Sequence, residues 1–268
     1  MVTWRVLTES VRGASHHRNG LPNQDAVAFA QNPLVVVAVA DGHGSARCTH
    51  SDLGAKFAVE AAIEIVQQVF NAPNLSLPQL RALSEGIPKA IHRCWQRKVD
   101  TYIDDYLRIE DCLLIESTTG NRYLLFGTTL LVACVLENCV LYWQIGDGDI
   151  VVIQANGTPA MPIPHDERLL GNDTTSLCGK KTWQDFREAF VPIIEPPKAI
   201  FLVSDGYKNS FKESEGFNKA LVDINNFIKD EGADFVQTEL ADWLNEASQN
   251  GSGDDITLAV IYAEKIQC

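Results

Sequence analysis

The apolar run from Pro33 to Ala40 most constrains the fold of this chain. The run contains no polar residue, and a strand without alternation of polar and apolar side chains is buried on both faces. We therefore predict that this strand lies inside a layered fold. The run ends abruptly in Asp41-Gly42-His43-Gly44. That ending is either a tight turn or a point to which a buried strand delivers a carboxylate and an imidazole.

Apolar periodicity predicts further strands and helices along the chain. The predicted strands are Val2–Thr8, Asp25–Ala30, Phe126–Leu136, Val140–Ile145, Ile150–Gln154, Ala199–Val203 and Ile256–Tyr262. The predicted helices are Ser51–Phe70, Leu77–Trp95, Gly216–Lys229 and Asp234–Ala247. Strands at both ends of the chain with helix pairs between them predict an α+β layered sandwich. Glu9–Asn23 is predicted as a polar connection and Met161–Lys181 as a long irregular loop.

Charge and cysteine content exclude several classes of protein. The net charge of −13 repels phosphate backbones, so a nucleic-acid partner is not expected. No apolar stretch is long enough to span a membrane, and the N-terminus lacks the layout of a signal peptide. None of the seven cysteines forms a Cys-x-x-Cys pair, which favours reduced thiols over disulfides or zinc. We therefore expect a cytoplasmic protein without a membrane partner.

Aspartate recurs at five predicted strand edges, mostly beside glycine. The five stretches are Asn23-Gln24-Asp25, Asp41-Gly42-His43, Gly146-Asp147-Gly148-Asp149, Ser204-Asp205-Gly206 and Gly253-Asp254-Asp255. Any one of them is explained by a turn, because aspartate and glycine are the usual turn residues. Several carboxylates at buried strand ends would repel one another unless a cation lay among them. Hard oxygen ligands without a Cys or His cluster indicate Mg²⁺, Mn²⁺ or Ca²⁺.

Two divalent ions at such a site would support phosphate hydrolysis. A water shared between the ions loses a proton near neutral pH and becomes a nucleophile, while the ions neutralise the phosphate. His43 stands two residues beyond Asp41 and could protonate the leaving oxygen. A lone histidine is also compatible with an ordinary surface or core position.

The ordered motifs resemble those of the metal-dependent protein phosphatases, the type-2C serine/threonine family, in a bacterial subgroup. The matching residues include Asn23-Gln24-Asp25-Ala26, Asp41-Gly42-His43-Gly44, Gly127-Thr128-Thr129 and Gly251-Ser252-Gly253-Asp254-Asp255. The resemblance implies a four-layer α-β-β-α sandwich with two central antiparallel sheets. It implies one domain over residues 1–268, with a variable flap at about 161–195. It also implies hydrolysis of phosphoserine and phosphothreonine by a metal-bridging hydroxide.

The resemblance further implies a role for individual residues. Two Mn²⁺ or Mg²⁺ ions would be bridged by Asp41, and a weak third ion would lie near Asp147. His43 would be the general acid. The full set of implied metal residues is Asp25, which holds a metal-bound water, Asp41, Gly42 through its carbonyl, Asp147, Asp205 and Asp254.

This chain departs from the family pattern at several places, one of which is the turn Gly146-Asp147-Gly148-Asp149, where the usual sequence is Gly-Asp-Ser-Arg. Gln24 replaces the usual glutamate before the first aspartate, and Asn209 replaces the usual aspartate after Asp205. Asp255 replaces a common asparagine, and a register shift of one would make Asp255 the ligand instead of Asp254. The usual phosphate-binding arginine is missing in strict register, and His16, His17 or Arg18 could substitute for it. Of these, His16 is the candidate catalytic residue.

Three functional hypotheses follow. The first is an active serine/threonine protein phosphatase that acts on a phosphorylated protein and opposes a serine/threonine kinase. The second is a catalytically weak or inactive pseudophosphatase that binds a phosphoprotein or partner, as the changes at Gln24 and the missing arginine suggest. The third is a phosphatase for small phosphorylated molecules. Hydrolysis of a phosphopeptide would support the first hypothesis, whereas ligand binding without hydrolysis would support the second.

Overall fold

The computed structural model describes residues 2–71, 75–107, 111, 113, 115, 120–166 and 174–264. Within these residues, ten strands form two antiparallel sheets of five strands each. The first sheet has the order β1 (Thr3–Val11), β10 (Ile256–Glu264), β9 (Ala199–Val203), β6 (Asp149–Ile153) and β7 (Pro159–Ala160). The second has the order β2 (Asp25–Ala30), β3 (Val35–Asp41), β4 (Leu130–Val135), β5 (Cys139–Ile145) and β8 (Arg187–Pro192).

Helices cover the outer face of each sheet. The described helices are α1 (Ala14–Asn19), α2 (Ser51–Phe70), α3 (Leu77–Ser84), α4 (Ile87–Tyr106), α5 (Asp205–Lys208), α6 (Ser214–Asp230) and α7 (Ala233–Asn250). One apolar core lies between α2, α4 and the second sheet, and another lies between α6, α7 and the first sheet. A third core fills the space between the sheets. These three cores define a four-layer α+β sandwich, which confirms the predicted fold class.

The central position of β3 explains its unbroken apolar sequence. The strand pairs with β2 on one side and β4 on the other. Val36, Ala38 and Ala40 face the helical layer, whereas Val35, Val37 and Val39 face the opposite sheet. Both faces are therefore buried, as predicted.

The structure differs from the sequence-based prediction at several boundaries. The polar connection Glu9–Asn23 contains the short helix α1, which ends at Gly20 in the left-handed conformation. The predicted helix Leu77–Trp95 is two helices, and Pro88 lies in the first turn of the second one, where a missing N–H does no harm. β4 begins at Leu130 because Arg122–Phe126 forms a 3₁₀-helix.

The region predicted as a flap contains both ordered and irregular segments. Residues 161–166 and 174–181 form no helix or strand, and 167–173 lie outside the described residues. β8 falls within the range 161–195 and belongs to the second sheet. None of the described helices combines the length and the apolar character needed to cross a membrane.

Candidate metal centre

The two sheets bring their aspartate-bearing strand ends to one place. Asp25 begins β2 and lies opposite Asp41 at the end of β3. Asp205 begins α5 directly after β9, and its negative charge raises the pKa of the Asp41 carboxyl group. The negative charges of Asp147 and Asp254 both act on Asp205. All five aspartates predicted as metal residues therefore lie in one cluster.

The electrostatic cost of this cluster is visible in its pKa values. Burial raises the pKa of Asp41 well above its usual value, and the charges of Asp25 and Asp205 raise it further. Burial likewise raises the pKa of Asp205, and the charges of Asp147 and Asp254 raise it further. Carboxylates crowded into a buried site need protons or cations to neutralise them.

Asp25 provides the clearest test of whether the cluster fits a cation. Both of its carboxylate oxygens are buried, and neither accepts a hydrogen bond from any described residue. Burial raises the pKa of Asp25 to about 8, although the hydroxyls of Ser204 and Thr257 oppose the rise without reaching hydrogen-bonding geometry. Unpartnered carboxylate oxygens among other carboxylates are the donor set that Mg²⁺ and Mn²⁺ prefer. The residues present therefore fit a divalent metal site.

The structure distinguishes the roles of Asp254 and Asp255. Asp255 is buried, and its Oδ1 accepts a hydrogen bond from Gly13 N at 2.6 Å. Its Oδ2 accepts from Gln24 N at 2.6 Å and bonds His16 Nδ1 at 2.8 Å. Asp254 is exposed, and the only hydrogen bond that its carboxylate accepts among the described residues comes from Asp255 N. The geometry therefore favours Asp254 as the residue free to bind a metal.

The short helix α1 carries the candidates for the missing arginine. His16 is buried and held by Asp255, and one of its ring nitrogens lies within 4.8 Å of a carboxylate oxygen of Asp254. Arg18 is exposed, and its Nη2 would lie 3.9 Å from a β-carbon placed on Gly253. His17 is exposed as well. Arg18 therefore places a permanent positive charge beside the loop that carries Asp254.

His43 lies close enough to the aspartate cluster for the charge of Asp147 to act on its ring. Its backbone N–H donates to Gly127 O at 3.0 Å, and its ring occupies the space that a side chain at position 127 would fill. Burial lowers the pKa of His43, and the charge of Asp147 opposes that shift. The charge of Asp147 therefore stabilises the protonated imidazole that burial disfavours.

Gly42 and Gln24 pack tightly at the edge of the cluster. Gly42 N donates to Gln24 O at 3.1 Å, and a β-carbon at position 42 would lie 2.6 Å from the backbone oxygens of Gln24 and Ser51. The Gln24 side chain donates to Ser51 Oγ at 2.8 Å. Its Oε1 is buried and accepts no hydrogen bond from the described residues. Gln24 therefore presents a free amide oxygen where a carboxylate was expected.

Two contacts fix the turn that carries Asp147, and sequence reasoning missed both. Gly146 N donates to Thr175 Oγ1 at 2.8 Å. Buried Asp149 forms an ion pair with Lys208 at 3.0 Å, and Lys208 follows Asp205 on the same short helix. The ion pair ties the position of Asp147 to that of Asp205. In the sequence, only the opposite charges of Asp149 and Lys208 could have indicated this ion pair.

Asn209 lies where the family pattern has an aspartate, and it contacts Asp205. Its Nδ2 donates a hydrogen bond to Asp205 Oδ2 at 2.9 Å. An amide donor at this position orients Asp205 but adds no negative charge. Asp147 thus lacks the second carboxylate that the family pattern would supply.

Raised carboxyl pKa values predict how the metal-free protein responds to pH. Asp25 keeps its proton in the folded state up to about pH 8, whereas an unfolded aspartate loses it near pH 4. The folded state therefore holds more protons in between, so the free energy of unfolding falls as pH rises from about 4 to about 8. One such proton contributes up to about 1.4 kcal/mol per pH unit.

Urea unfolding of chelator-treated protein between pH 6 and pH 8 measures this effect. We expect the loss of stability with rising pH to diminish in Asp25→Asn and to disappear at saturating Mn²⁺. A chelated protein whose stability rises over this range would contradict the prediction.

The Asp149–Lys208 ion pair predicts a second stability effect. Lys208→Met leaves the carboxylate of Asp149 buried without its partner, and burial already raises the pKa of that carboxyl. Because Lys208 is one third exposed, we expect a loss of about 1–3 kcal/mol rather than the full cost of an unpaired buried charge. Urea unfolding measures this loss. The double variant Asp149→Asn/Lys208→Met should recover part of it, and the control Lys219→Met, in an exposed pair, should change stability by less than about 0.5 kcal/mol.

Comparison with known proteins is consistent with this geometry. The family model described as Protein phosphatase 2C matches residues 12–245. Similar solved structures are a bacterial serine phosphatase (18% identity, TM-score 0.60), the serine/threonine phosphatase Stp1 from Staphylococcus aureus (17%, 0.59) and the catalytic domain of the serine threonine protein phosphatase PstP in complex with two manganese ions (17%, 0.55). The matches cover 98%, 99% and 99% of this chain and 99%, 96% and 100% of those chains, respectively. No curated protein sequence matches the chain.

Proposed function

The chain belongs to the protein phosphatase 2C family of metal-dependent phosphoprotein phosphatases, and on that premise we propose that it hydrolyses phosphoserine and phosphothreonine in proteins. The observation that carries the proposal is the convergence of Asp25, Asp41, Asp205 and Asp254 in one cluster, with both oxygens of Asp25 left without a hydrogen-bond donor among the described residues. Such a cluster is costly in a protein that does not use it.

Two divalent ions, Mn²⁺ or Mg²⁺, complete the proposed site. We assign Asp41 to both ions, Gly42 to one through its carbonyl oxygen, and Asp205 and Asp254 to the other. When bound, the ions supply a water of lowered pKa as the nucleophile and neutralise the phosphate. Asp25 orients the attacking water, since its oxygens are not engaged elsewhere among the described residues. A weaker third ion would be held by Asp147, without the second carboxylate that Asn209 replaces.

Side chains outside the metal set bind the phosphate and move the proton. His43 gives a proton to the departing serine or threonine oxygen, and the nearby charge of Asp147 stabilises its protonated form. Arg18 binds the phosphate, because its guanidinium lies beside the loop of Asp254. His16 orients that region through its bond with Asp255.

The wider biological setting follows from the same proposal. We propose one domain over residues 1–268 with a variable flap at about 161–195, a range in which Arg187–Pro192 is part of the second sheet. Its substrates are phosphoproteins, and its activity opposes a serine/threonine kinase. The five described cysteines are free thiols, which supports a cytoplasmic location.

Hydrolysis of a phosphothreonine peptide by chelator-treated protein tests the proposal. We expect no phosphate release without metal and release at saturating Mn²⁺, with a faster rate than for a sugar phosphate. Clear Mn²⁺ binding by calorimetry without turnover would instead indicate the pseudophosphatase. Faster release from the sugar phosphate would replace the protein substrate with a small molecule.

The role of Arg18 has its own test within the same assay. Arg18→Lys keeps the charge but loses the bidentate geometry, whereas Arg18→Ala loses both. We expect KM for the phosphopeptide to rise about tenfold in Arg18→Ala and less in Arg18→Lys, with Arg47→Ala, another exposed arginine, as the control. An unchanged KM in Arg18→Ala would remove this residue from the phosphate site.

A further inference from the structure

Three aromatic rings form a cluster on the outer surface of the α6–α7 pair. Phe227 on α6 lies 6.2 Å from Phe235 and 5.3 Å from Trp243 on α7, measured between ring centroids. Phe235 and Trp243 are 6.2 Å apart, so the three rings form a closed triangle. Phe227 and Phe235 are each 41% exposed. Contiguous exposed apolar surface marks interaction sites, whereas single exposed apolar residues do not.

Carboxylates share the helix face that carries two of these rings. Glu239 lies four residues from Phe235 and four residues from Trp243, so the three side chains project from the same side of α7. Asp242 and Glu246 continue this side, at seven and eleven residues from Phe235. Each ring of α7 therefore has an acidic neighbour.

The acidic groups that share the face of α7 with Phe235 and Trp243 are not neutralised from within the helix pair. Residues 214–250 contain eight carboxylates and two lysines, so they carry −6 of the net charge of −13. Both lysines are already engaged, Lys219 with Asp223 at 2.8 Å and Lys229 with Asp230 at 3.0 Å. Asp223 and Asp230, which flank Phe227 on α6, are thereby paired, whereas within the described part of the chain no cation pairs with Glu231, Glu239, Asp242 or Glu246.

We propose that this aromatic and acidic surface, formed by Phe227, Phe235, Trp243, Glu239, Asp242 and Glu246, docks a basic amphipathic segment of a partner protein. Aliphatic side chains of the segment would cover the rings, while its lysines and arginines would pair with the carboxylates and contact the ring faces. A second copy of this chain is a poor occupant, because two such surfaces would bring unpaired carboxylates together. Anionic lipids and nucleic acids are repelled for the same reason.

Phe235 lies at the end of α7 that is farther from the metal centre. Phe235 is near the start of α7, whereas Asp254 follows the end of that helix. Phe235 and Asn250 are fifteen positions apart, or roughly 22 Å at the usual helical rise, whereas Glu246 is only four positions from Asn250. A partner segment that covers Phe227 and Phe235 therefore leaves the aspartate cluster open to a small substrate. The surface would select or anchor partner proteins without taking part in phosphate hydrolysis.

Binding of a designed peptide to the full chain tests the proposal. The probe is a fluorescein-labelled 18-residue peptide of leucine and lysine, with leucines at helical spacing, and the readout is fluorescence anisotropy. We expect a dissociation constant in the micromolar range. A second peptide, with serine in place of every leucine, keeps the charge and should bind at least tenfold more weakly. Equal binding of the two peptides would show that the rings contribute nothing and would overturn the proposal.

Matched charge reversals locate the binding surface. Glu239→Lys/Glu246→Lys should weaken binding of the leucine-lysine peptide at least tenfold. Asp104→Lys/Asp105→Lys changes the net charge equally on the exposed side of α4, in the opposite helical layer, and should weaken it less than threefold. Phe235→Ser tests the ring contribution without changing charge and should also weaken binding at least tenfold. Equal loss in both charge reversals would indicate a general charge effect and overturn the proposal.

Two further outcomes are decisive. Failure of the leucine-lysine peptide to bind at 100 µM would refute the proposed docking surface. Sedimentation that shows self-association, abolished by Phe235→Ser, would assign the surface to a second copy instead of a partner. Turnover of a short phosphothreonine peptide by the surface variants should equal that of the unmodified protein, so failure of the docking proposal is distinguishable from failure of the phosphatase proposal.

Discussion

Asp41→Asn is expected to reduce hydrolysis of a phosphothreonine peptide at saturating Mn²⁺ by at least about a thousandfold, equivalent to about 4 kcal/mol in activation free energy. Asp41 ends β3 and shares the cluster with Asp25, Asp205 and Asp254, whose charges all act on its carboxyl group. Asparagine has nearly the same shape but lacks the charge that would hold a divalent ion. Calorimetry should show weaker Mn²⁺ binding by the same variant.

The fold around Asp41 should tolerate this change, which makes the result interpretable. Its backbone oxygen accepts hydrogen bonds from Thr128 Oγ1 and Thr129 N, and its N–H donates to Thr129 Oγ1. None of these bonds uses the side chain. Removing one charge from a group of crowded carboxylates also relieves repulsion, so the metal-free variant should be at least as stable as the unmodified protein near pH 8.

A matched control distinguishes loss of the site from loss of negative charge. Asp105→Asn removes an exposed carboxylate on α4 and should leave turnover within a factor of two. If Asp41→Asn keeps more than a tenth of the turnover at saturating Mn²⁺, Asp41 does not hold the metal. The assigned site would then be wrong even if the protein is a phosphatase.

The layered fold could be predicted because the apolar pattern of each strand indicates which of its faces are buried. β3 has apolar residues on both faces, so its central place in a sandwich follows from the sequence alone. α1 could not be predicted in this way. It has six residues and no apolar face, and it is fixed by Ser15 N donating to Gly253 O and Ala14 N donating to Ser248 Oγ. Contacts between residues this far apart in sequence leave no local pattern.

The aspartate cluster could also be predicted from the positions of its residues in the strands. The separate roles of the individual aspartates could not. The candidate aspartates stand at strand ends, and antiparallel strands bring those ends together, as the pairing of Asp25 with Asp41 shows. The choice between Asp254 and Asp255 depends on side-chain direction. Adjacent residues that precede a strand point in different directions, and only the structure shows that Asp255 faces Gly13 and His16. The roles of these residues as metal ligands remain predictions.

The contrast between these two neighbours gives the second large expected effect. Asp255→Ala should reduce the free energy of unfolding of the metal-free protein by about 3–5 kcal/mol. The substitution leaves three donors without their acceptor, namely Gly13 N, Gln24 N and His16 Nδ1. Each unsatisfied buried polar group costs about 1–3 kcal/mol. Urea unfolding in the presence of a chelator measures the loss separately from any effect of bound ions.

Asp254→Ala is the matched variant one position away. Its carboxylate is exposed and accepts one hydrogen bond, from Asp255 N, among the described residues. We expect a change in stability below about 1 kcal/mol, because an exposed partner can be replaced by water, together with clearly weakened Mn²⁺ binding. His16, Asp254 and Asp255 also offer ligand atoms within 4.8 Å of one another. If these three residues held a metal jointly, both variants would lose Mn²⁺ affinity while chelated Asp255→Ala remained stable, and Asp255 would then be a ligand and not a structural acceptor.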